Sequence, residues 1–285
     1  MRHSRESPLP HEPSPTGLFV SDHTGITAEI IGKSLLSQYP DEAFATESLP
    51  FVDSQEKAQN AASHIREVWK QTSVRPFVFS SLTDPDARAA LNASEALVMD
   101  IYGQFLGMMT AEIGRPATPA KGKFHAIGDQ DNYTSRIDAL NFSLATDDGM
   151  ALKYDRADLI LVGVSRSGKT PTSLYMAMQY GLCVANYPLT PEHFDRFELP
   201  SVLRPHLKKV RGLTLTPTRL SQIRAERRPN SEYASLETCK QELNAAEQMM
   251  RSAGIPVLDS TTRSVEEIAA LLRQSLTNPT VQRPA

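Results

Sequence analysis

The sequence has few cysteines, almost no net charge and little aromatic content. Its 285 residues include two cysteines and one tryptophan, and the formal net charge is −3. Two cysteines exclude a disulfide-rich scaffold, and neither Cys183 nor Cys239 has the spacing of a metal or redox motif, so both are expected to be reduced core residues. So small a net charge gives no overall basic field that would attract nucleic acid or an anionic membrane.

Long apolar runs are also missing. No stretch approaches the roughly 18 apolar residues that a membrane span requires, and the proline-rich N-terminal segment lacks the apolar core of a signal peptide. We therefore expect a cytoplasmic protein whose partners include neither nucleic acid nor membrane. The chain is 40% hydrophobic and 22% charged, which is the composition of a globular protein with one large core or two smaller ones.

Short apolar strands alternate with amphipathic helical segments along most of the chain. This alternation predicts an α/β fold with parallel sheets flanked by helices. The predicted parts are a disordered tail at 1–16, an N-terminal α/β domain at 17–150, a second domain at 151–277 and a C-terminal tail at 278–285. The motif described below marks the second domain as a P-loop kinase-like nucleotide-binding domain. The predicted strands are Leu18–Ser21, Glu47–Val52, Phe77–Ser81, Leu159–Val162, Leu182–Asn186, Gly212–Thr216 and Pro256–Asp259.

Helices are predicted between these strands. The segment 84–113 reads as one long helical stretch, and 114–133 loses periodicity and is expected to be a long connection. The other predicted helices are at about 26–38, 54–71, 134–145, 217–228 and 234–253, with one after residue 170 and a closing one from 265.

Residues 163–170 carry the complete pattern G-x-x-x-x-G-K-[ST], directly after the apolar segment 158–162. A strand that ends in such a loop directs successive backbone N–H groups into one concavity, which binds phosphate together with the next helix N-terminus. Lys169 is predicted to reach the outer phosphates and Thr170 to bind Mg²⁺. The predicted nucleotide-binding residues are Gly163, Val164, Ser165, Arg166, Ser167, Gly168, Lys169 and Thr170. The alternative interpretation is a turn without a ligand.

A second polar segment, 21–29, follows the first predicted strand and opens a helix. Ligand sites of open α/β sheets lie at this position, beyond the carboxyl end of a strand. Asp22 is a candidate to bind Mg²⁺ or to accept a hydroxyl proton as a general base. The alternative is an ordinary capped turn, with Thr24 or Thr27 as the cap.

The acidic residue that usually accompanies a phosphate loop is not identified by spacing. Asp22, Asp259 and the Asp147–Asp148 pair are all candidates. Two adjacent aspartates before a glycine more often form a turn than a catalytic pair. The choice among these carboxylates therefore stays open.

Arginines cluster at 224–228, between two predicted helices. Arginines on a mobile segment can neutralise the charge on a phosphoryl group in transfer, so Arg227 and Arg228 are predicted to be catalytic residues of a lid. The alternative is a solvated helix end, where cations suit the helix dipole. His23 and His125 lack metal-ligand spacing and are expected to be structural or to contact substrate.

Several segments together resemble one family. They are Ser21–Glu29, Leu49–Phe51, Asp147–Gly149, Gly163–Pro171, Ala185–Pro188, Gly212–Thr214 and Tyr233–Leu236. The pattern is similar to that of the phosphoenolpyruvate synthase regulatory proteins, relatives of the pyruvate, phosphate dikinase regulatory proteins, and extends over about residues 17–272. Gly168 favours the synthase branch, because the dikinase branch often lacks this glycine.

The resemblance implies a bifunctional enzyme with ADP as phosphoryl donor. Such proteins phosphorylate a threonine of the synthase while its catalytic histidine carries a phosphate, and this inactivates the synthase. They remove the threonine phosphate with inorganic phosphate and release pyrophosphate, which restores activity. The segment 163–170 would bind ADP, with Mg²⁺ as the expected metal. The assignment of Asp22 as general base comes from the residues and not from the resemblance.

Two other functions remain open. One is a P-loop kinase for a small metabolite, and the other is a non-catalytic module that senses ADP and controls its partner sterically. The oligomeric state is also open, with a homodimer as one option.

Overall fold

The computed structural model describes residues 14–118, 129–150, 154–196 and 198–277. Within this part the chain forms two compact units, one from the residues up to 118 and one from those after 128. The predicted tails fall mostly outside the described residues, and so does His125. The α/β prediction is confirmed, because each unit has a parallel four-stranded sheet with helices.

The first unit has the strand order β2-β1-β3-β4, and all its strands are parallel. Leu18 and Val20 pack into one apolar cluster and Phe19 into another, because successive strand side chains point to opposite faces of the sheet. The elements are β1 Thr16–Val20, α1 Ile26–Leu36, β2 Ala45–Leu49, α2 Gln55–Thr72, β3 Phe77–Ser80, α3 Pro85–Asn92, β4 Leu97–Asp100 and α4 Ile101–Ile113.

The prediction of a single helical stretch over 84–113 is wrong, because β4 interrupts it and pairs with β3. Each of the two helices begins at an aspartate. Asp84 caps α3, and the Asp100 side chain accepts a hydrogen bond from the backbone N–H of Gly103 at the start of α4. The strand has only four residues, so its apolar side chains fit the helical pattern on either side of it.

The second unit has the strand order β6-β5-β7-β8, again all parallel. Its α-helices and strands are α5 Asp129–Ala145, β5 Leu159–Gly163, α6 Lys169–Tyr180, β6 Val184–Pro188, α7 Pro191–Arg196, β7 Val210–Thr214, α8 Pro217–Arg227, α9 Leu236–Ser252, β8 Val257–Asp259 and α10 Val265–Thr277. Short 3₁₀ segments lie at Asp147–Gly149, Tyr154–Arg156, Ser201–Lys209 and Glu232–Ala234.

The boundary between the units differs from the predicted one at residue 150. Helix α5 belongs to the second unit, where it packs against α6 and β6, and Phe142 enters the core of this unit. The helix starts at Asp129, earlier than predicted, and so shortens the expected connection. The turn that follows α5 is thereby tied to the sheet that carries residues 163–170.

Both cysteines are free thiols, as expected, with Cys239 fully buried and Cys183 partly buried. Over the described part of the chain, no helix is both long enough and apolar enough to cross a membrane.

Candidate functional site

The site lies at the carboxyl edge of the second sheet. From β5 the chain moves outward to β6 and then returns to β7 on the other side of β5, so the connections after β5 and β7 diverge. Open α/β sheets bind ligands in the crevice at such a reversal. Here the crevice is a cavity of about 600 Å³. It is lined by Asp147, Asp148, Ser165, Arg166, Ser167, Gly168, Lys169, Thr170, Pro171, Leu215, Arg219, Ile223, Arg227, Ser260, Thr261, Arg263, Val265 and Ile268.

Residues 163–170 join β5 to α6, as predicted. Gly163 ends the strand and Lys169 begins the helix, with Gly168 as its N-cap at a left-handed φ of 92°. Arg166 also has a positive φ, 73°. The N-terminus of α6 therefore opens into the cavity, and a helix N-terminus favours an anion.

The position of Gly163 leaves no room for a side chain. A Cβ there would lie 2.5 Å from the carbonyl oxygen of Leu213 on β7 and 2.8 Å from the Ser167 hydroxyl. We expect Gly163→Ala to lower the free energy of unfolding by about 2 kcal/mol, because the backbone of β7 must move. Gly168→Ala has open space around it and should cost only about 1 kcal/mol, for its left-handed backbone. Urea titrations of both variants measure this difference, and equal costs would contradict it.

Lys169 is buried, with only 4% of its surface exposed. Its Nζ donates a hydrogen bond to the carbonyl oxygen of Val164 at 2.9 Å. Burial lowers the pKa of this ammonium to about 8; the carboxylates of Asp148 and Asp147 oppose the shift, and Arg224 adds to it. A bound anion would favour the charged form, so the lysine suits a ligand that carries phosphate.

The acidic partner of the 163–170 loop comes from the turn after α5. Oδ1 of Asp147 accepts hydrogen bonds from the Thr170 hydroxyl at 2.8 Å and from Nδ2 of Asn186 at 2.5 Å. The Asp148 backbone N–H donates to Oδ1 of Asn186 at 2.9 Å. Of the three acidic candidates, the structure therefore places the Asp147–Asp148 pair beside the loop. The pair also forms the turn that two aspartates before a glycine predict.

The other acidic candidates have hydrogen-bond partners outside the 163–170 loop. In the first unit, Oδ2 of Asp22 accepts hydrogen bonds from the backbone N–H and the hydroxyl of Thr83, at 2.9 and 2.5 Å. Asp22 thus joins the connections after β1 and β3. Asp259 accepts hydrogen bonds from the backbone and hydroxyl of Thr261. The His23 backbone N–H donates to Ser21, and its ring lies 6.3 Å from that of Phe51.

Arg224 is a fully buried residue that contacts the 163–170 loop through Ser165. It pairs with Glu242 at 2.6 Å and donates hydrogen bonds to the carbonyl oxygens of Ser165 at 3.2 Å and Tyr233 at 3.0 Å. Its guanidinium lies 4.1 Å from the centre of the Tyr233 ring. The Tyr233 hydroxyl is 2.9 Å from the Ser165 hydroxyl. This network holds Ser165 through both its backbone and its side chain.

Arg227 and Arg228 differ in position. Helix α8 continues to Arg227, which lines the cavity, whereas Arg228 follows the helix and is not among the described lining residues; both side chains are exposed. Because α8 includes Arg227 and is anchored by Arg224, the predicted mobile connection is a helix up to this point.

Sequence reasoning missed Asn186, Arg219 and Arg263. Asn186 was detectable, because it is a polar residue near the carboxyl end of a predicted strand.

A parallel α/β sheet with G-x-x-x-x-G-K-T between a switch-point strand and its helix, and with an aspartate on the final threonine, is typical of phosphotransferases. The family is more specific than this class. The chain belongs to the kinase/pyrophosphorylase family, whose model matches residues 18–272.

Similar proteins carry the name "Putative phosphoenolpyruvate synthase regulatory protein". The one from Azoarcus sp. is 50% identical over 266 residues, which is 93% of this chain and 96% of the relative. The one from Aromatoleum aromaticum has the same identity and coverage. The one from Bordetella avium is 47% identical and covers 92% of this chain and 96% of its own.

Proposed function

We propose that this protein is a bifunctional regulator of phosphoenolpyruvate synthase. In one direction it is an ADP-dependent protein serine/threonine kinase that inactivates the synthase in its phosphohistidine form. In the other it is a phosphate-dependent pyrophosphorylase that reactivates it. The contact between Thr170 and Asp147 at the mouth of the 163–170 loop carries this proposal, because it completes a phosphate site. The family and the names of the relatives fit the same function, and a cytoplasmic location is part of the proposal.

In this proposal the 163–170 loop binds the diphosphate of ADP. Backbone N–H groups at the start of α6 and the Lys169 ammonium hold the phosphate oxygens. Arg166 adds positive charge at the rim. Arg224 and Tyr233 keep Ser165 in place, so the loop is pre-formed before ADP arrives.

The residues at the loop also fit Mg²⁺. A hydroxyl from Thr170 and carboxylates from Asp147 and Asp148 are the hard oxygen donors that this ion prefers, and Mg²⁺ commonly uses one or two carboxylates together with substrate phosphates. When bound there, the ion would neutralise charge on the phosphates.

The two reactions transfer a phosphoryl group to and from the same threonine oxygen. In the kinase direction the threonine oxygen of the synthase forms a bond to the β-phosphorus of ADP, the bond to the bridging oxygen breaks, AMP leaves and the threonine proton passes to a base. In phosphorolysis an oxygen of inorganic phosphate attacks the phosphothreonine, the bond to the threonine oxygen breaks, pyrophosphate forms and the threonine oxygen takes up a proton. One cradle can serve both. Asp22 remains the sequence-based prediction for the base, and Asp147 is a second candidate at the loop.

One incubation tests the proposed function against its alternatives. The protein, Mg²⁺ and β-labelled ADP are mixed with the synthase after its histidine has been phosphorylated. Label on a synthase threonine supports the proposal, and subsequent phosphate should return the label as pyrophosphate. Label on a metabolite would indicate a small-molecule kinase. Binding of ADP without transfer would indicate a sensing module, and unphosphorylated synthase is the matched control.

The affinity for ADP should decrease as the pH rises above 8. In the protein without ADP, Lys169 loses its proton near the lowered pKa of about 8. Bound phosphate favours the charged form of this lysine. The affinity should therefore be constant below pH 8 and fall by up to about tenfold per pH unit above it, until the pKa of the complex is reached. Calorimetric titrations from about pH 7 to pH 10 measure the profile. Lys169→Met should bind weakly with a flat profile above pH 8, and an equally steep decline in that variant would assign the titration to another group.

A further inference from the structure

Three arginines line the wall of the cavity that does not belong to the 163–170 loop. Two of them, Arg219 and Arg227, lie on α8. Ile223 is four residues from each, so the three side chains share one face of the helix. Arg263 comes from the connection after β8, where its guanidinium donates a hydrogen bond to the carbonyl oxygen of Asp259. We refer to Arg219, Arg227 and Arg263 as the arginine wall.

The arginine wall is positively charged without neutralising partners. In the described part of the chain, none of its three guanidinium groups has a carboxylate oxygen within 4.0 Å. In the same unit, some arginines have carboxylate partners: Arg224 pairs with Glu242 and Arg251 with Glu247.

The charge balance of the whole cavity is also positive. Among its described lining residues, five cations, namely Arg166, Lys169 and the arginine wall, outnumber two carboxylates. Asp147 is already bonded to Thr170 and Asn186. The three arginines of the wall are exposed, and their charge is available to an anionic ligand in the cavity.

The shape of the cavity agrees with a ligand larger than one phosphate. Its volume of about 600 Å³ lies in the range of small-molecule sites. A guanidinium presents planar paired N–H donors that match the oxygens of a phosphate group. Ser260 and Thr261 lie on the same wall, and the Ser260 hydroxyl is 3.3 Å from the carbonyl oxygen of Ser167, so this connection is tied to the loop.

From these observations the structure assigns the arginine wall as the subsite for the phosphoryl group in transfer. The 163–170 loop holds the phosphate that stays with the leaving group, and the arginine wall contacts the terminal phosphate from the other side of the cavity. This assignment rests on the proposed function. It replaces a mobile lid with a fixed wall, and it adds Arg219 and Arg263 to the residues that bind the transferred group.

Binding of three compounds tests the arginine wall without measuring catalysis. ADP and pyrophosphate carry a terminal phosphate beyond the first, and AMP does not. We expect Arg219→Gln and Arg227→Gln each to weaken ADP and pyrophosphate binding by about tenfold or more, with AMP affinity unchanged within about twofold. Lys169→Met should weaken all three. Arg251→Gln removes an exposed charge from the same unit and is the control.

Two results would overturn the assignment. An equal loss of AMP and ADP affinity would mean that the arginines contact the nucleoside or act by general attraction. No loss for any ligand would mean that they form a solvated helix face. Failure of the proposed function gives a different result, since the wild-type protein would then bind pyrophosphate and ADP but transfer no phosphate to the synthase. Circular dichroism of each variant shows whether it is folded.

Discussion

Replacement of Lys169 by methionine is expected to abolish kinase and pyrophosphorylase activity together. The ammonium is a buried charge inside the 163–170 loop, 2.9 Å from a loop carbonyl oxygen. In both directions the same phosphates must be held there, so both rates should fall by at least about a thousandfold, or ~4 kcal/mol in barrier. Single-turnover transfer of β-phosphate from ADP, and release of pyrophosphate from phosphorylated synthase, measure the two rates.

The fold should survive this change. Methionine fills nearly the same volume, and the desolvation that lowers the pKa of Lys169 disappears with the charge. The stability to urea should therefore be unchanged or slightly higher. Lys240→Met removes an exposed lysine from α9 and should change neither rate. If Lys169→Met kept one of the two activities near the wild-type rate, the two reactions would not share this site.

Asp147→Asn should slow both reactions by about a hundredfold, or roughly 2.7 kcal/mol in barrier. The amide keeps the shape of the carboxylate but removes its charge, so it can neither accept a proton nor serve as a strong Mg²⁺ ligand. Its NH₂ group would also face the donors of Thr170 or Asn186, which now share one acceptor oxygen. Rates at saturating ADP and at several Mg²⁺ concentrations separate loss of the metal from loss of a proton acceptor.

Asp22→Asn is the matched comparison in the first unit. If Asp22 is the general base, this variant should turn over slowly while its affinity for ADP stays within a few-fold of wild type. If Asp22 serves only to join two connections, the variant should keep its turnover and lose about 1–3 kcal/mol of stability, because the hydrogen bonds from Thr83 weaken. Loss of turnover in Asp22→Asn but not in Asp147→Asn would place the base in the first unit.

Local signals predicted much of the fold and one part of the site. The strand before Gly163 and the helix after Gly168 follow from an apolar run and a glycine pattern, both of which lie within a few residues. Strand β4 was not predicted, because its short apolar segment between two helices also fits a helical period. Its identity depends on pairing with β3, which no local pattern contains.

The sequence offered Asp147 as one candidate partner of the loop but could not select it, because it is distant from the loop in sequence. Asp147 lies 23 residues before Thr170 and meets it only because α5 packs against α6. The arginines of the 224–228 cluster are alike in sequence but differ in where their side chains lie. Arg224 and Arg227 lie three residues apart on one helix, yet Arg224 is fully buried and Arg227 lines the cavity. The direction of a helix face is decided by tertiary packing, and the sequence alone left both residues in one group.

The buried pair of Arg224 and Glu242 also restricts which sequence changes this protein can accept. Loss of Glu242 leaves Arg224 as an uncompensated buried charge, which costs about 3–5 kcal/mol, and loss of Arg224 leaves a partly buried carboxylate without its cation. Such a loss is a large share of the stability of a typical domain. A mutational path that exchanges the pair must therefore change both positions almost at once. Loss of Arg224 would also remove its hydrogen bond to the Ser165 carbonyl oxygen, so that intermediate would lose stability and part of the support of the loop together.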